Sequence, residues 1–373
     1  MREIMMSAPD IQPEDIERVV EVLKSRSLSL GPFLERFERS FADYLGVEHA
    51  VAVSSGTAGL HLCVCAAGIG PGQEVITSPF SFVASANCVL YERATPVFVD
   101  IDEESMNIDP DLVGAAVTDR TRAVLPVHVF GQACAIGEID ALCRKHGLIM
   151  IEDACEALGT EYCGRKVGTF GRAAVFAFYP NKQMTAGEGG IIATNDAGWA
   201  RTFQSLRNQG RGEMGPWLLH EQLGFNYRLD EMSAALAFSQ LTRIEVLIER
   251  RRKAAESYRE RLRDVPGVRL LSPVATTTRL SWFVLVVRLD ERISRDGVVE
   301  YLRKNGVPTR TYFSPIHLFP FYRQRFGYKE GAFPVAERVA ASTLALPFHS
   351  NISHADIEYV TTCLKNAVER CTP

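Results

Sequence analysis

An α/β fold is what this sequence predicts: a large domain on a mostly parallel sheet with helices on both faces, residues 1–245, then a smaller α+β domain, residues 246–373. Three observations lead there. Short apolar runs alternate with helical patterns through the first two-thirds of the chain, the βαβα rhythm of a covered parallel sheet. Past Asn226 that rhythm gives way to a long, charge-rich amphipathic stretch. The total of 373 residues also exceeds what one hydrophobic core usually holds.

Taken in order, "HAVAVSSG" reads as a strand ending in a turn, and "TAGLHLCVCAAGIG" as a helix stopped by glycines. Strand-like "EVITSP", helical "SFVASANCVLYER" and strand-like "TPVFVDID" follow. Then come a strand in "RAVLPVHVFG", a helix "IGEIDALCRKHG" closed by Gly147, and a buried strand "LIMIEDA". The runs "VFAF" and "GGIIAT" flank the loop that holds Lys182. From Leu229 to Val265 the pattern reads as one continuous amphipathic stretch whose charges form a solvated face. Beyond Gly267, "SWFVLVVRL" is strand-like, while "RDGVVEYLRKNG" and "HADIEYVTTCLKNAVERC" are helical.

Composition narrows the function classes. The net charge is −4 and no basic stripe offers a nucleic-acid footprint. Nine scattered cysteines, an odd number without a CxxC pair, speak against a disulfide framework or a zinc finger and for reduced thiols. The opening "MREIMMSAPD" lacks a signal-peptide core, and no run reaches the roughly 18 apolar residues of a membrane helix. The expected setting is soluble and cytoplasmic.

Three motifs fall at strand ends, where α/β proteins bind ligands. In "SSGTAGLHL", Ser54, Ser55, Gly56 and Thr57 lead a strand into a helix, whose free N–H groups and dipole suit a phosphate; a plain helix cap by Ser55 or Thr57 explains the same residues. In "IEDACEALG", Asp153 ends an apolar run, and a buried carboxylate needs a partner; a protonated ring nitrogen is one candidate and helix capping the other. Glu156 lies three residues on. In "AFYPNKQMTAGEGGII", Lys182 is the one basic residue between two core strands. A lysine shielded from water loses its proton more easily and can form a Schiff base with an aldehyde, although most loop lysines are simply exposed. Together, an amine, a carboxylate and an anion nest are what pyridoxal 5′-phosphate requires, and Phe82 at a fourth strand end would cover its ring.

At this point a resemblance covers nearly the whole chain. The ordered set "GPFLERFERSFADYLGVEHAVAVSSGTAGLHL", "TPVFVDID", "PVHVFGQ", "IEDACEALG", "FYPNKQMTAGEGG", "GFNYRLDEMSAAL" and "SPIHLFPFYRQRFG…FPVAERVAASTLALP" resembles the DegT/DnrJ/EryC1/StrS family, the pyridoxal-phosphate-dependent aminotransferases of sugar-nucleotide pathways. That resemblance implies the fold-type-I aminotransferase architecture. It makes Lys182 the Schiff-base lysine, Asp153 the partner of the ring nitrogen, Phe82 the ring cover, and Gly56 and Thr57 the phosphate cradle. Asn226 of "GFNYR" would reach the phosphate of the neighbouring subunit, so the active site would be shared across a homodimer. L-glutamate would supply the amine, with pyridoxamine phosphate carrying it to a keto-sugar nucleotide. Arg228, Arg310, Tyr312 and His317 are candidate contacts for that substrate.

The chain departs from the family pattern twice. Ala177 stands where a phosphate-binding serine is common, leaving Tyr179, Asn181 or water to compensate. Glu156 stands where glutamine or histidine is common near the cofactor's phenolic oxygen, which a carboxylate would repel unless protonated or bridged. "GEGG", in place of the "GDGG" of several C3-acting relatives, points to a C4 keto group. A sugar dehydratase, whose members replace the lysine, and a non-catalytic regulator on the same fold are the competing readings; the lysine argues against the first, and the lack of a basic helix-turn-helix segment against the second.

Overall fold

The computed structural model describes residues 4–212 and 219–372. Its strands are β1 (His49–Val53), β2 (Glu74–Thr77), β3 (Thr95–Phe98), β4 (Thr121–Val124) and β5 (Ile149–Asp153), a short hairpin β6 (Glu161–Tyr162) and β7 (Arg165–Lys166), then β8 (Ala173–Ala177) and β9 (Gly190–Thr194). Seven of these form one sheet in the order β1-β9-β8-β5-β4-β2-β3. Neighbours from β8 through β3 pair in parallel, whereas β9 runs antiparallel to both β8 and β1. This reversal has a functional effect. The carboxyl ends of β1, β5 and β8 meet the amino end of β9 at one edge, so Ser54, Asp153, Ala177 and Gly190 lie together.

The sheet strands are Val/Ile/Ala-rich and buried along nearly their whole length, as expected when helices cover both faces. Four helices come before β3 in the chain: α1 (Pro13–Ser25), α2 (Pro32–Leu45), α3 (Gly56–Ala66) and α4 (Ala84–Tyr91). Apart from its C-terminal end, α3 is almost wholly buried, packing on β8 and β9 on one side and on α4 on another. Its mostly apolar sequence is what that position demands, and its buried His61 finds polar partners in Tyr227 and Glu92.

The stretch from Leu229 to Val265 is not continuous. It forms two helices, Glu231–Leu241 and Ile244–Leu262, with a break at Thr242 and Arg243. The first is largely buried and packs against α1 and α2; the second carries most of the charges. Glu231 anchors this arrangement, its carboxylate accepting from the backbone N–H groups of Gly31, Phe33 and Leu34 at 2.9 Å each. It thereby meets the orphan donors at the start of α2.

Beyond Gly267 lie β10 (Val268–Leu270), β11 (Thr277–Arg279), β12 (Leu285–Leu289) and β13 (Thr343–Leu346). An antiparallel sheet, β10-β12-β13, shares a second hydrophobic core with the helices Arg295–Lys304 and His354–Cys371. Just before β12, Phe283 packs in the core of the large sheet, so the two layers meet beside the loop after β8.

Candidate active site

The edge where β1, β5, β8 and β9 converge opens into a cavity of about 480 Å³. Its wall includes Ser55, Gly56, Thr57, Phe82, Asp153, Glu156, Tyr179, Asn181 and Lys182 from the sheet edge, and Phe283, Tyr312 and Phe313 from the later part of the chain.

On one wall is the start of α3. Ser55 is its N-cap, and its hydroxyl accepts from the Ala58 N–H at 3.1 Å. The cap and the cradle coexist, because one side-chain acceptor satisfies only one of the first-turn donors. The N–H groups of Gly56 and Thr57 head a helix whose dipole favours an anion there. Glycine is required at position 56: a Cβ would come within 2.9 Å of both Cys155 Sγ and Ala177 Cβ.

Asp153 ends β5 and is 5% exposed. No helix begins there, so it caps none. Its Oδ2 accepts from Ser85 Oγ at 2.8 Å, and its Oδ1 from the Cys155 N–H at 3.2 Å. Ser85 in turn lies 2.8 Å from Ser81 Oγ. Ser85 has one proton and the anionic oxygen of Asp153 is its strongest acceptor, so Ser81 donates to Ser85 and the chain ends on the carboxylate.

Lys182 sits in the loop between β8 and β9, its side chain 13% exposed. Its Nζ is 3.7 Å from Glu156 Oε1 and 4.0 Å from the centroid of the Phe283 ring. The backbone carbonyl of Lys182 accepts from Arg251 Nη2 at 2.7 Å, while Arg251 Nη1 donates to the carbonyls of Trp282 and Phe283 at 3.2 and 3.1 Å. One buried guanidinium thus holds both the lysine and the ring beneath its amine. Glu156 is equally enclosed, and its Oε2 accepts from the Phe130 N–H at 2.8 Å. Burial pushes its carboxyl above the ordinary range, and the Lys182 charge and the Phe130 N–H oppose that without reversing it.

Phe82 is 61% exposed rather than in the core, and it lines the cavity together with Tyr312. The structure does not bring the remaining sequence candidates to this wall. Asn226 is exposed and pairs through its backbone with Asn208. Arg228 donates to Asn208 Oδ1 at 3.1 Å, and Arg310 is exposed. His317, the remaining substrate candidate, is fully buried among Tyr328 and Phe333, and its Nε2 pairs with Glu337 at 2.9 Å.

Sequence reasoning missed Ser85, Phe283 and Arg251. Ser85 carried a usable signal, since Ser81 and Ser85 stand four residues apart just past a strand end. Arg251 carried none, because in "IERRRKAAE" it reads as one more solvated charge.

Residues 9–365 match the model of the DegT/DnrJ/EryC1/StrS aminotransferase family. The chain belongs to this family. It is a pyridoxal-phosphate-dependent aminotransferase. The spore coat polysaccharide biosynthesis protein SpsC of Bacillus subtilis is 39% identical over 97% of this chain and 96% of its own length. GDP-perosamine synthase of Caulobacter vibrioides is 39% identical over 97% of both chains. Among solved structures, PseC of Helicobacter pylori, an aminotransferase involved in the biosynthesis of pseudoaminic acid, superposes with a TM-score of 0.94 at 30% identity, over 99% of this chain and all of its own.

The residues present fit the family's cofactor. The cavity offers an amine, a buried carboxylate held by two donors and a helix N-terminus on one wall. It also holds a buried acceptor, Asn181 Oδ1, that no group among the described residues satisfies.

Proposed function

We propose that this aminotransferase moves an amino group from L-glutamate to the C4 keto group of a nucleotide-linked sugar, in a homodimer whose active sites are shared between protomers. The observation that supports the reading best is that Lys182, Asp153 and the start of α3 line one cavity, together with the exposed ring of Phe82. Two relatives add the sugar: GDP-perosamine synthase by its name makes a GDP-linked amino sugar, and SpsC serves a polysaccharide pathway.

When bound, the cofactor supplies an electron-poor ring that takes up the charge left when a proton departs from the carbon bearing the amine. The protein supplies the rest. Thr57, with the amides of Gly56 and Thr57, would hold the phosphate, and Phe82 would cover the ring. Asp153 keeps a negative charge at the ring nitrogen, fixed in place by Ser85 and the Cys155 N–H. Lys182 would hold the cofactor through its amine and be freed when the donor amino acid binds. The freed Nζ then takes and returns the proton at the substrate carbon, acting as base and acid in turn. Glu156 and the Phe283 ring flank that amine and limit its swing. Tyr312 would meet the incoming sugar, Arg228 and Arg310 would meet its phosphates, and Asn226 would reach the neighbouring protomer's phosphate. A lysine amine directed into the cavity favours transamination over dehydration.

The test is to load the protein with the amino form of the cofactor and present a panel of keto-sugar nucleotides. Return of the aldehyde-form spectrum with a 4-keto sugar nucleotide, and with none of the 3-keto compounds, is the expected result. Return with 3-keto compounds alone would remove the C4 assignment, and silence with every member would remove the sugar nucleotide.

A further inference from the structure

Away from the cavity, α3 and α4 converge a second time. His61 and Cys65 lie four residues apart on one face of α3, and Glu92 is the residue that closes α4. His61 Nε2 is 2.8 Å and Cys65 Sγ 3.4 Å from the same oxygen, Glu92 Oε1. All three ligand atoms lie within 4.8 Å of one another. We infer that His61, Cys65 and Glu92 form a binding site for one thiophilic divalent cation of the zinc class.

Four observations support the site. The donor set, an imidazole nitrogen, a thiol and a carboxylate, is the mixture zinc selects. In a tetrahedral zinc site with ordinary bond lengths, neighbouring ligand atoms stand about 3.3–3.6 Å apart. The sulfur–oxygen distance already matches, and the nitrogen–oxygen pair opens by about 0.5 Å once a cation replaces the proton between them. Next, the charge fits: the Cys65 thiol releases its proton to solvent on binding, and a thiolate with a carboxylate neutralises the ion. Glu92 is two-thirds buried, and its one ion-pair partner among the described residues is His61. Finally, His61 is held as metal-bound histidines are. Its Nδ1 lies 3.1 Å from the Tyr227 hydroxyl, and the rings of Tyr91 and Phe225 pack around it, leaving Nε2 to face the other two ligands.

The position gives the ion a structural task. The start of α3 carries the phosphate cradle, and Ser85 in the first turn of α4 carries the hydrogen bond to Asp153. An ion bridging His61 and Cys65 to the end of α4 would clamp these two helices together on the side away from the substrate. The fourth coordination position would be filled by water.

The test uses tag-free holoenzyme, stripped with a chelator and dialysed against buffered zinc alone. One zinc per chain should bind, and its X-ray absorption should report one sulfur at about 2.3 Å with nitrogen and oxygen neighbours near 2.0–2.2 Å. Zinc should raise the melting temperature, since it binds the folded state. Cys65→Ser and Glu92→Gln are near-isosteric and should keep the yellow cofactor and the transamination rate while losing stoichiometric zinc. Lack of binding by the wild type overturns the site. So does zinc that stays bound in Cys65→Ser, or a spectrum without sulfur. If Cys65→Ser proves unstable, Glu92→Gln decides by the same measurements.

Discussion

Replacing Ser85 by alanine removes one oxygen from the centre of the molecule and should slow the chemistry without unfolding it. Asp153 Oδ2 is 2.8 Å from Ser85 Oγ, while the other oxygen has only the longer 3.2 Å bond from the Cys155 N–H. Alanine leaves the better-held oxygen without a protein donor in a fully buried setting. A hydrogen bond to a charged group contributes about 1.5–3 kcal/mol, a factor of roughly 10–150. The cavity lies next to Asp153, so a water can replace part of the bond, and the lower end applies: a loss of about tenfold in the rate of the first half-reaction. The donor's KM should change little, because Ser85 acts on the ring partner rather than on the amino acid. The assay is stopped-flow absorbance of the cofactor after mixing with L-glutamate, across a concentration series. Ser85→Thr, which keeps the hydroxyl, should restore most of the rate. An unchanged rate in Ser85→Ala, or a loss that threonine does not repair, would show that Ser85 merely fills space.

Four further outcomes are expected. Borohydride should fix the cofactor to the peptide containing Lys182, and Lys182→Ala should abolish turnover; label on another lysine would refute that role. Asp153→Asn should cost at least ~10²-fold in turnover with a smaller effect on cofactor binding, measured by steady-state kinetics and by fluorescence titration. Glu156→Gln tests the raised carboxyl: because the folded protein holds its proton above the ordinary value of 4.5, wild-type apoprotein should lose stability relative to the variant as pH rises from there through the raised value, and match it below. Melting curves across that range check the sign, and a variant that is never the more stable would contradict it. Mixing inactive Lys182→Ala with Asn226→Asp, under conditions that exchange subunits, should recover activity toward half of wild type per mixed dimer, since one site then has Lys182 and Asn226 intact; no recovery after exchange confirmed by mass would place Asn226 outside the partner's site.

The residues at the cavity were legible because the chemistry is local. A strand that ends in Asp153, a helix that starts with Ser55-Gly56-Thr57 and a loop with a single lysine are each written in a few consecutive letters. The alternation of apolar runs with helical patterns determined the α/β class in the same way, since burial on both faces needs unbroken apolar strands. Tertiary structure decided what depends on distance across the chain. The break at Thr242 and Arg243 escaped the periodicity because both sides are helical. His317 looked available among aromatic residues until packing buried it against Glu337. Arg251, set among neighbours of the same charge, became a clamp on Lys182 only when its helix crossed beneath the loop, since three carbonyls from two distant segments had to converge on it. Sequence determines which groups a chain can offer, and it shows their positions where neighbours in sequence are neighbours in space. The partners of a buried charge come from remote segments, and only the folded chain selects them.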